Sequence, residues 1–142
     1  MSKAVLVENL MAFLPNLHKK LFKGVPPFEI SRQQAELLFF VFKENGMPMS
    51  YYSDKTMVSK PSLTLMADKL IEEDFIERGF DKDDRRVITL NITQKGIDCV
   101  NRQREKIKET VILRLEVLSE NEVTRLNALF DEINQIFDKL NI

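Results

Sequence analysis

The chain has 142 residues, of which 44% are hydrophobic and 30% are charged, and its formal net charge is −1. This composition is that of a folded domain with its own core and excludes a disordered chain. The charge lacks the basic excess of many nucleic-acid-binding proteins, so contact with nucleic acid would require local basic clusters. With one cysteine, Cys99, and one histidine, His18, the chain offers no intramolecular disulfide and no zinc site of several His and Cys ligands.

Segments and motifs that would indicate other classes of protein are missing. No apolar run approaches the roughly 18 residues of a membrane-spanning helix, and the start lacks the features of a signal peptide. The sequence has no Gly-rich phosphate loop, no HExxH and no G-x-S-x-G. We therefore expect a cytoplasmic protein that is not an enzyme and that has no cofactor, no metal and no membrane partner.

Two helices are predicted in the first third of the chain. Apolar residues three and four apart predict a helix over residues 3–23, which Pro15 should kink or break. A Gly-Val-Pro-Pro break follows. Ser31 and Gln34 then have the spacing of a capping box and open a second helix over residues 32–45, whose apolar residues run nearly all round and predict burial.

The next two elements predict a helix-turn-helix. A short helix fits residues 50–56, a turn follows near Met57, and Ser59 is a suitable N-cap for a helix that ends at about Glu73. One apolar stripe marks the buried side of this second helix: Leu63, Met66, Ala67, Leu70 and Ile71.

The pattern then changes from helical spacing to alternation. Residues 75–80 and 86–92 suit two strands, and the polar segment 81–85 between them is typical of a turn, so we expect a β-hairpin with a charged tip. Thr93 can cap a long helix over residues 94–117. Ser119 and Glu122 form a further capping box before the last helix, which is rich in apolar residues.

Three segments carry a family resemblance: residues 70–78 (LIEEDFIER), 81–86 (DKDDRR) and 90–96 (LNITQKG). They resemble the recognition-helix end, the wing and the entry to the long helix of the MarR (multiple-antibiotic-resistance regulator) family of transcription regulators. Two departures are Asp74, where the family usually has Gly, and the first helix of the motif, which is not Leu/Ala-rich here. The resemblance implies a mainly α fold with a small β-hairpin wing, in which a winged helix-turn-helix is joined to a dimerisation element of terminal helices.

The implied organisation is one MarR-like protomer over residues 1–142. Residues 30–93 would form the winged helix-turn-helix DNA-binding lobe, and residues 1–29 with 94–142 the helical dimerisation element. The apolar residues of the terminal helices exceed what one short helical hairpin can bury, although a larger monomer core is the alternative. The candidate dimerisation residues are Leu6, Leu10, Val111, Leu115, Leu126, Phe130, Ile133 and Phe137.

Candidate DNA-binding residues fall on the recognition helix, before it and in the wing. A helix fits the major groove, where Lys and hydroxyl side chains meet phosphates or base edges and Leu65 could touch a thymine methyl. By resemblance, Arg86 enters the minor groove and Asp84 orients it; a narrow minor groove attracts arginine. Ordinary solvated surface is the alternative for both elements. The set is Lys55, Ser59, Lys60, Ser62, Thr64, Leu65, Lys69, Lys82, Asp84, Arg85 and Arg86.

The Phe residues could line an effector pocket and Cys99 could be a redox sensor, but both could also serve only to pack the core. Six of the ten Phe residues lie in the first 42 residues, and family members bind small aromatic ligands between their first helices and the long fifth helix. The resemblance thus suggests an effector pocket with Phe13, Leu17, His18 and Phe39, while core packing is the simpler explanation of the Phe residues. Cys99 is expected to be a buried inert thiol rather than a redox sensor.

The predicted function is that of a homodimeric transcriptional regulator. It would bind a pseudo-palindromic operator in double-stranded DNA, act as a repressor, and be released by a small apolar or aromatic ligand. The alternative is a winged-helix protein-interaction module without DNA binding. The net charge of −1 and the acidic segment 72–77, with Glu72, Glu73, Asp74 and Glu77, favour this alternative.

Overall fold

The computed structural model describes residues 2–25 and 29–140. In these ranges it contains six helices and one antiparallel β-hairpin, the fold class that the sequence predicted. The elements are α1 (Lys3–Phe22), α2 (Arg32–Lys43), α3 (Met49–Thr56), α4 (Lys60–Glu72), β1 (Ile76–Phe80), β2 (Ile88–Ile92), α5 (Gln94–Leu115) and α6 (Glu120–Phe137). None of the described helices is long and apolar enough to cross a membrane.

The contacts between residues divide the chain into two compact units. One is Gly24–Ile107, which holds the helix-turn-helix and the hairpin, and the other is Met1–Lys23 with Lys108–Ile142. The division falls within α5, whereas the sequence analysis drew it at Thr93. The assignment of separate DNA-binding and dimerisation roles stays a prediction.

Pro15 does not break the helix, because α1 continues through this residue from Lys3 to Phe22, and the alternative of a kink there stays a prediction. A proline ring removes the hydrogen bond to the carbonyl four residues earlier, here that of Met11. Met11 is exposed, so water can solvate that carbonyl at little cost. Ser2 begins the helix by accepting a hydrogen bond from the Val5 N–H.

The core of the unit Gly24–Ile107 surrounds α2. The predicted capping box is present: Ser31 Oγ accepts from the Gln34 N–H, and Gln34 Oε1 accepts from the Ser31 N–H. The helix is not buried all round, because Phe39 is 40% exposed. It ends at Lys43 and not at residue 45. The core consists of Ile30, Ala35, Leu37, Leu38, Val41, Tyr52, Leu63, Met66, Ala67, Leu70, Phe75, Ile76, Leu90, Cys99 and Val100.

The helix-turn-helix consists of α3 and α4. Met57 adopts a left-handed backbone conformation between them (φ 56°), and Ser59 Oγ accepts from the Ser62 N–H to cap α4. The first helix, α3, is rich in Ser and Tyr, and Tyr52 in it is fully buried in the core. The Tyr52 hydroxyl donates to the Glu44 carbonyl and accepts from the Met47 N–H.

A left-handed residue follows the end of α4. Asp74 has φ 63°, a conformation that glycine adopts freely and that Asp tolerates better than most residues. The hydroxyl of Thr93 lies close to the carbonyl oxygens of Asp74 and Phe75 (2.6 and 3.0 Å) and accepts from the Gly96 N–H, which caps α5. A Cβ at Gly96 would lie 2.2 Å from the Phe75 carbonyl, so this close approach requires glycine.

The hairpin is shorter than predicted. Phe80 pairs with Ile88, so Arg86 and Val87 belong to the turn and not to β2. The Val87 N–H donates to the Asp84 carbonyl and its carbonyl accepts from the Asp81 N–H, which closes the turn before the strand begins.

Two helices follow the hairpin. α5 ends at Leu115 and not at residue 117. α6 begins with the capping box of Ser119 and Glu122 that the sequence predicted.

Candidate nucleic-acid interface

The exposed side of α4 carries every recognition-helix residue singled out from the sequence. Its opposite side packs into the core through Leu63, Met66, Ala67 and Leu70. The exposed candidates are Ser59, Lys60, Ser62, Thr64, Leu65 and Lys69. A convex helix with one anchored side and one free side of this size has the dimensions that fit a DNA major groove.

The hydroxyl groups of this helix are engaged in local hydrogen bonds. Ser59 Oγ donates to Ser62 Oγ at 3.0 Å, and Thr64 Oγ1 donates to the Lys60 carbonyl at 3.0 Å. Leu65 is 64% exposed among them. On α3, the exposed Lys55 lies over the Tyr51 ring at 5.5 Å from its centroid.

An arginine is oriented by its neighbour in the wing turn, residues 81–87. Arg86 donates through Nε to Asp84 Oδ1 at 3.1 Å and through Nη2 to Oδ2 at 3.3 Å, a two-point contact that fixes the plane of the guanidinium. The Arg86 N–H also donates to Asp84 Oδ1 at 3.0 Å. These bonds from the Arg86 side chain and backbone lower the pKa of the Asp84 carboxyl, while the Arg86 side chain stays 91% exposed.

The remaining wing residues are also accessible. Lys82 and Arg85 are exposed beside Arg86, so three cations surround a turn that also holds three aspartates. The turn is therefore not strongly basic as a whole. Its contact with a polyanion would depend on which side chains point outward and are held in place.

Sequence reasoning missed an ion pair that links the helix to the wing. Asp68 on α4 accepts a hydrogen bond from the guanidinium of Arg78 on β1, and both side chains are about half exposed. The strand register aligns Arg78 with the buried Leu90, so the two side chains lie on the same face of the hairpin. No signal in the sequence alone identified the pair, because it depends on how β1 packs beside α4.

A groove between α2 and the start of α5 has a volume of ≈ 480 Å³. Its lining includes Phe39, one of the four residues named for an effector, and the buried Cys99. The other three, Phe13, Leu17 and His18, lie on α1 in the second unit, and Phe28 lies outside the described residues. The full lining is Arg32, Ala35, Glu36, Leu38, Phe39, Cys99, Val100, Gln103, Arg104 and Ile107.

The unit Met1–Lys23 with Lys108–Ile142 leaves most of its apolar surface uncovered. No residue of α1 or α6 is buried. Of the candidate dimerisation residues, Leu10, Val111 and Leu115 are half-buried. The others are exposed: Leu6, Leu126, Phe130, Ile133 and Phe137. Within this unit Arg114 donates to the carbonyl groups of Leu21 and Lys23 and so caps the end of α1.

Known proteins match this chain in sequence and fold. Residues 30–88 match the model of the MarR family. The HTH-type transcriptional regulator MhqR of Bacillus subtilis is 28% identical over 118 residues, which cover 83% of this chain and 76% of MhqR. A MarR family protein of Bacillus stearothermophilus has a similar fold, with a TM-score of 0.78 and 19% identity over 98% of this chain and 99% of that one. FabT of Streptococcus pneumoniae, solved in complex with DNA, gives a TM-score of 0.64 and 22% identity over 99% and 100% of the two chains.

The helix-turn-helix, the hairpin that follows it and the long fifth helix define a winged helix-turn-helix protein. Residues 30–88, which hold the helix-turn-helix and most of the hairpin, are similar to the MarR family, and MhqR is an HTH-type transcriptional regulator. The predicted function class, a transcriptional regulator rather than an enzyme, is that of MhqR.

Proposed function

We propose that the protein is a repressor that binds a pseudo-palindromic operator as a homodimer. The observation that carries the proposal is the Arg86–Asp84 pair, in which a guanidinium is held by two hydrogen bonds and yet remains 91% exposed. A narrow minor groove attracts arginine. Because Asp84 already restricts the Arg86 side chain, binding would cost little further side-chain entropy. α4 would then lie in the adjacent major groove, with half-sites about 10 base pairs apart.

The charge distribution supports a contact made at a few points. Lys55, Lys60 and Lys69 are exposed on the helix-turn-helix, and Lys82 and Arg85 in the wing. Each lysine or arginine that neutralises a phosphate releases counterions, so affinity arises locally even though the net charge is −1. FabT, whose fold is similar, was solved with DNA bound.

The homodimer accounts for the uncovered apolar residues of α1 and α6. A second copy would bury Leu126, Phe130 and Phe137, which a single chain leaves exposed to water. A small apolar or aromatic ligand would release the operator if it favoured a dimer geometry that does not fit DNA. The groove beside Phe39 has the volume and apolar lining for such a ligand.

The test is operator affinity of wild type and Arg86→Ala across a salt series, on a sequence selected from random DNA. We expect weaker binding and a shallower salt dependence, by roughly one counterion per lost contact in each protomer. Arg86→Lys is the matched control, since it keeps the charge but not the two-point contact with Asp84. It should keep the salt dependence and still lose affinity.

Two results would contradict the proposal. If the curves of wild type and Arg86→Ala coincide while circular dichroism shows both proteins folded, the wing is only a solvated turn. If no DNA is selected at all, the chain is better explained as a protein-interaction module. The exposed acidic residues Glu72, Glu73 and Glu77 would then be the first part of its surface to examine.

A further inference from the structure

Two apolar residues lie on the exposed side of α4. Side chains four apart lie on the same side of a helix, so Pro61 and Leu65 are neighbours there. Helical periodicity places both of them opposite the buried residues Leu63, Met66 and Leu70. Leu65 is 64% exposed, so this helix offers a large aliphatic group to water that the folding of the unit does not use.

Two of the hydroxyl groups near Leu65 already donate hydrogen bonds within the helix. The Ser59 hydroxyl donates to Ser62 Oγ, and the Thr64 hydroxyl donates to the Lys60 carbonyl, so both protons are used within the helix. Thr64 is therefore left with its methyl group and a hydroxyl oxygen that can only accept. Lys60 and Lys69, about one turn before and after Leu65, are long cations suited to phosphates on the two sides of a groove.

Leucine discriminates between bases because it has no hydrogen-bonding group. In the major groove, the 5-methyl group of thymine is the apolar feature, whereas guanine, cytosine and adenine present donors and acceptors. A donor or acceptor buried against Leu65 would lose its partner in water, which opposes binding. We propose that Leu65 determines sequence specificity by packing on a thymine methyl in each operator half-site. This inference rests on the proposed DNA-binding function.

The experiment removes one methyl group from DNA and one side chain from the protein. On the selected operator, each thymine of a half-site is replaced in turn by uracil, which differs only in lacking the 5-methyl group. At one position we expect wild type to lose about fourfold in affinity per half-site, the effect of withdrawing one buried methyl group. Leu65→Ala should bind the thymine and uracil operators equally well.

Two control variants separate the possible outcomes. Lys69→Ala should bind more weakly but keep the full preference for thymine, and Leu65→Met, which stays apolar, should also keep most of it. The proposal is overturned if no uracil replacement weakens wild type, or if folded Leu65→Ala keeps the thymine preference. Failure to select any operator would instead overturn the proposed function, so the two failures are distinguishable.

Discussion

The carboxylate of Asp68 on α4 accepts a hydrogen bond from the guanidinium of Arg78 on β1. This pair connects the helix proposed for the major groove to the first strand of the wing. Both side chains are about half exposed, so the pair adds at most ~1 kcal/mol to the free energy of unfolding. We expect it to contribute to DNA binding as well, because it connects the wing to the helix.

We expect Asp68→Asn and Arg78→Ala to weaken operator binding while the thermal midpoint stays nearly unchanged. The measurement is a double-mutant cycle on operator affinity, which separates the pair from the loss of one positive charge. A coupling energy of about 0.5 kcal/mol or more is expected for residues that act together. Strictly additive effects would mean that the pair does not position the wing.

Tyr52 is predicted to stabilise the junction of α2, α3 and β2. Its side chain is fully buried, and its hydroxyl bonds with Glu44 and Met47 and lies 3.5 Å from the Leu90 carbonyl. Tyr52→Phe leaves these groups without their partner and should lower the free energy of unfolding by about 1–3 kcal/mol. Denaturant unfolding measures this. Tyr51→Phe is the control, since its hydroxyl has no recorded hydrogen bond in the described residues, and an equal loss there would refute the role of the hydroxyl.

Local signals in the sequence predicted the local structure well. The capping boxes at Ser31 and Ser119 and the cap at Ser59 depend only on residues within one turn, so spacing alone reveals them. The start of β2 was misplaced because the Asp84 side chain takes the Arg86 N–H and keeps the chain in the turn. The alternation of apolar and polar residues, from which the strand was predicted, carries no information about such a hydrogen bond.

Features that depend on distant contacts were beyond the sequence. The Asp68–Arg78 pair forms only when β1 packs beside α4, and neither residue stands out alone. The recognition helix shows a second limit. Spacing predicted that Thr64 would be exposed, as it is, but not that its hydroxyl would donate to the Lys60 carbonyl. The sequence predicted that Leu65 would be exposed. The structure adds that the hydroxyl groups of Ser59 and Thr64 nearby donate hydrogen bonds within the helix.

The Cys99 thiol should react slowly with alkylating reagents, and its ionisation should oppose folding at alkaline pH. Burial raises its pKa above the usual 9.0, and the charge of Glu29 raises it further. The unfolded chain therefore loses the thiol proton at lower pH than the folded one. The free energy of unfolding should fall as pH rises from this usual value to the raised one.

Two measurements test the state of this thiol. Iodoacetamide should label native Cys99 far more slowly than the urea-unfolded chain at pH 7, and Cys99→Ser should lack the thiol's share of the alkaline loss of stability. Operator affinity should be indifferent to peroxide in both proteins. Equal labelling rates in the native and unfolded states, or a peroxide response that Cys99→Ser abolishes, would show a reactive sensor instead.

The exposed apolar residues of α6 should make the protein an obligate dimer in its DNA-binding form. Leu126 and Phe130 lie four residues apart, and both are exposed in the single chain. Changing both to Asp would place four charges in the interface of two copies, which costs far more than the burial of these side chains gains. We expect sedimentation equilibrium at micromolar concentration to give twice the chain mass of 16.6 kDa for wild type and a smaller mass for the double variant.

Operator binding should be lost together with the dimer, because each half-site alone binds weakly. Met57→Asp is a matched control for the sedimentation measurement. It also replaces an exposed apolar residue by Asp, but this residue lies in the helix-turn-helix rather than in α1 or α6. It should remain dimeric. Circular dichroism must show that the double variant keeps its helices. A monomeric wild type, or a folded double variant that still sediments as a dimer, would mean that α6 does not form the interface.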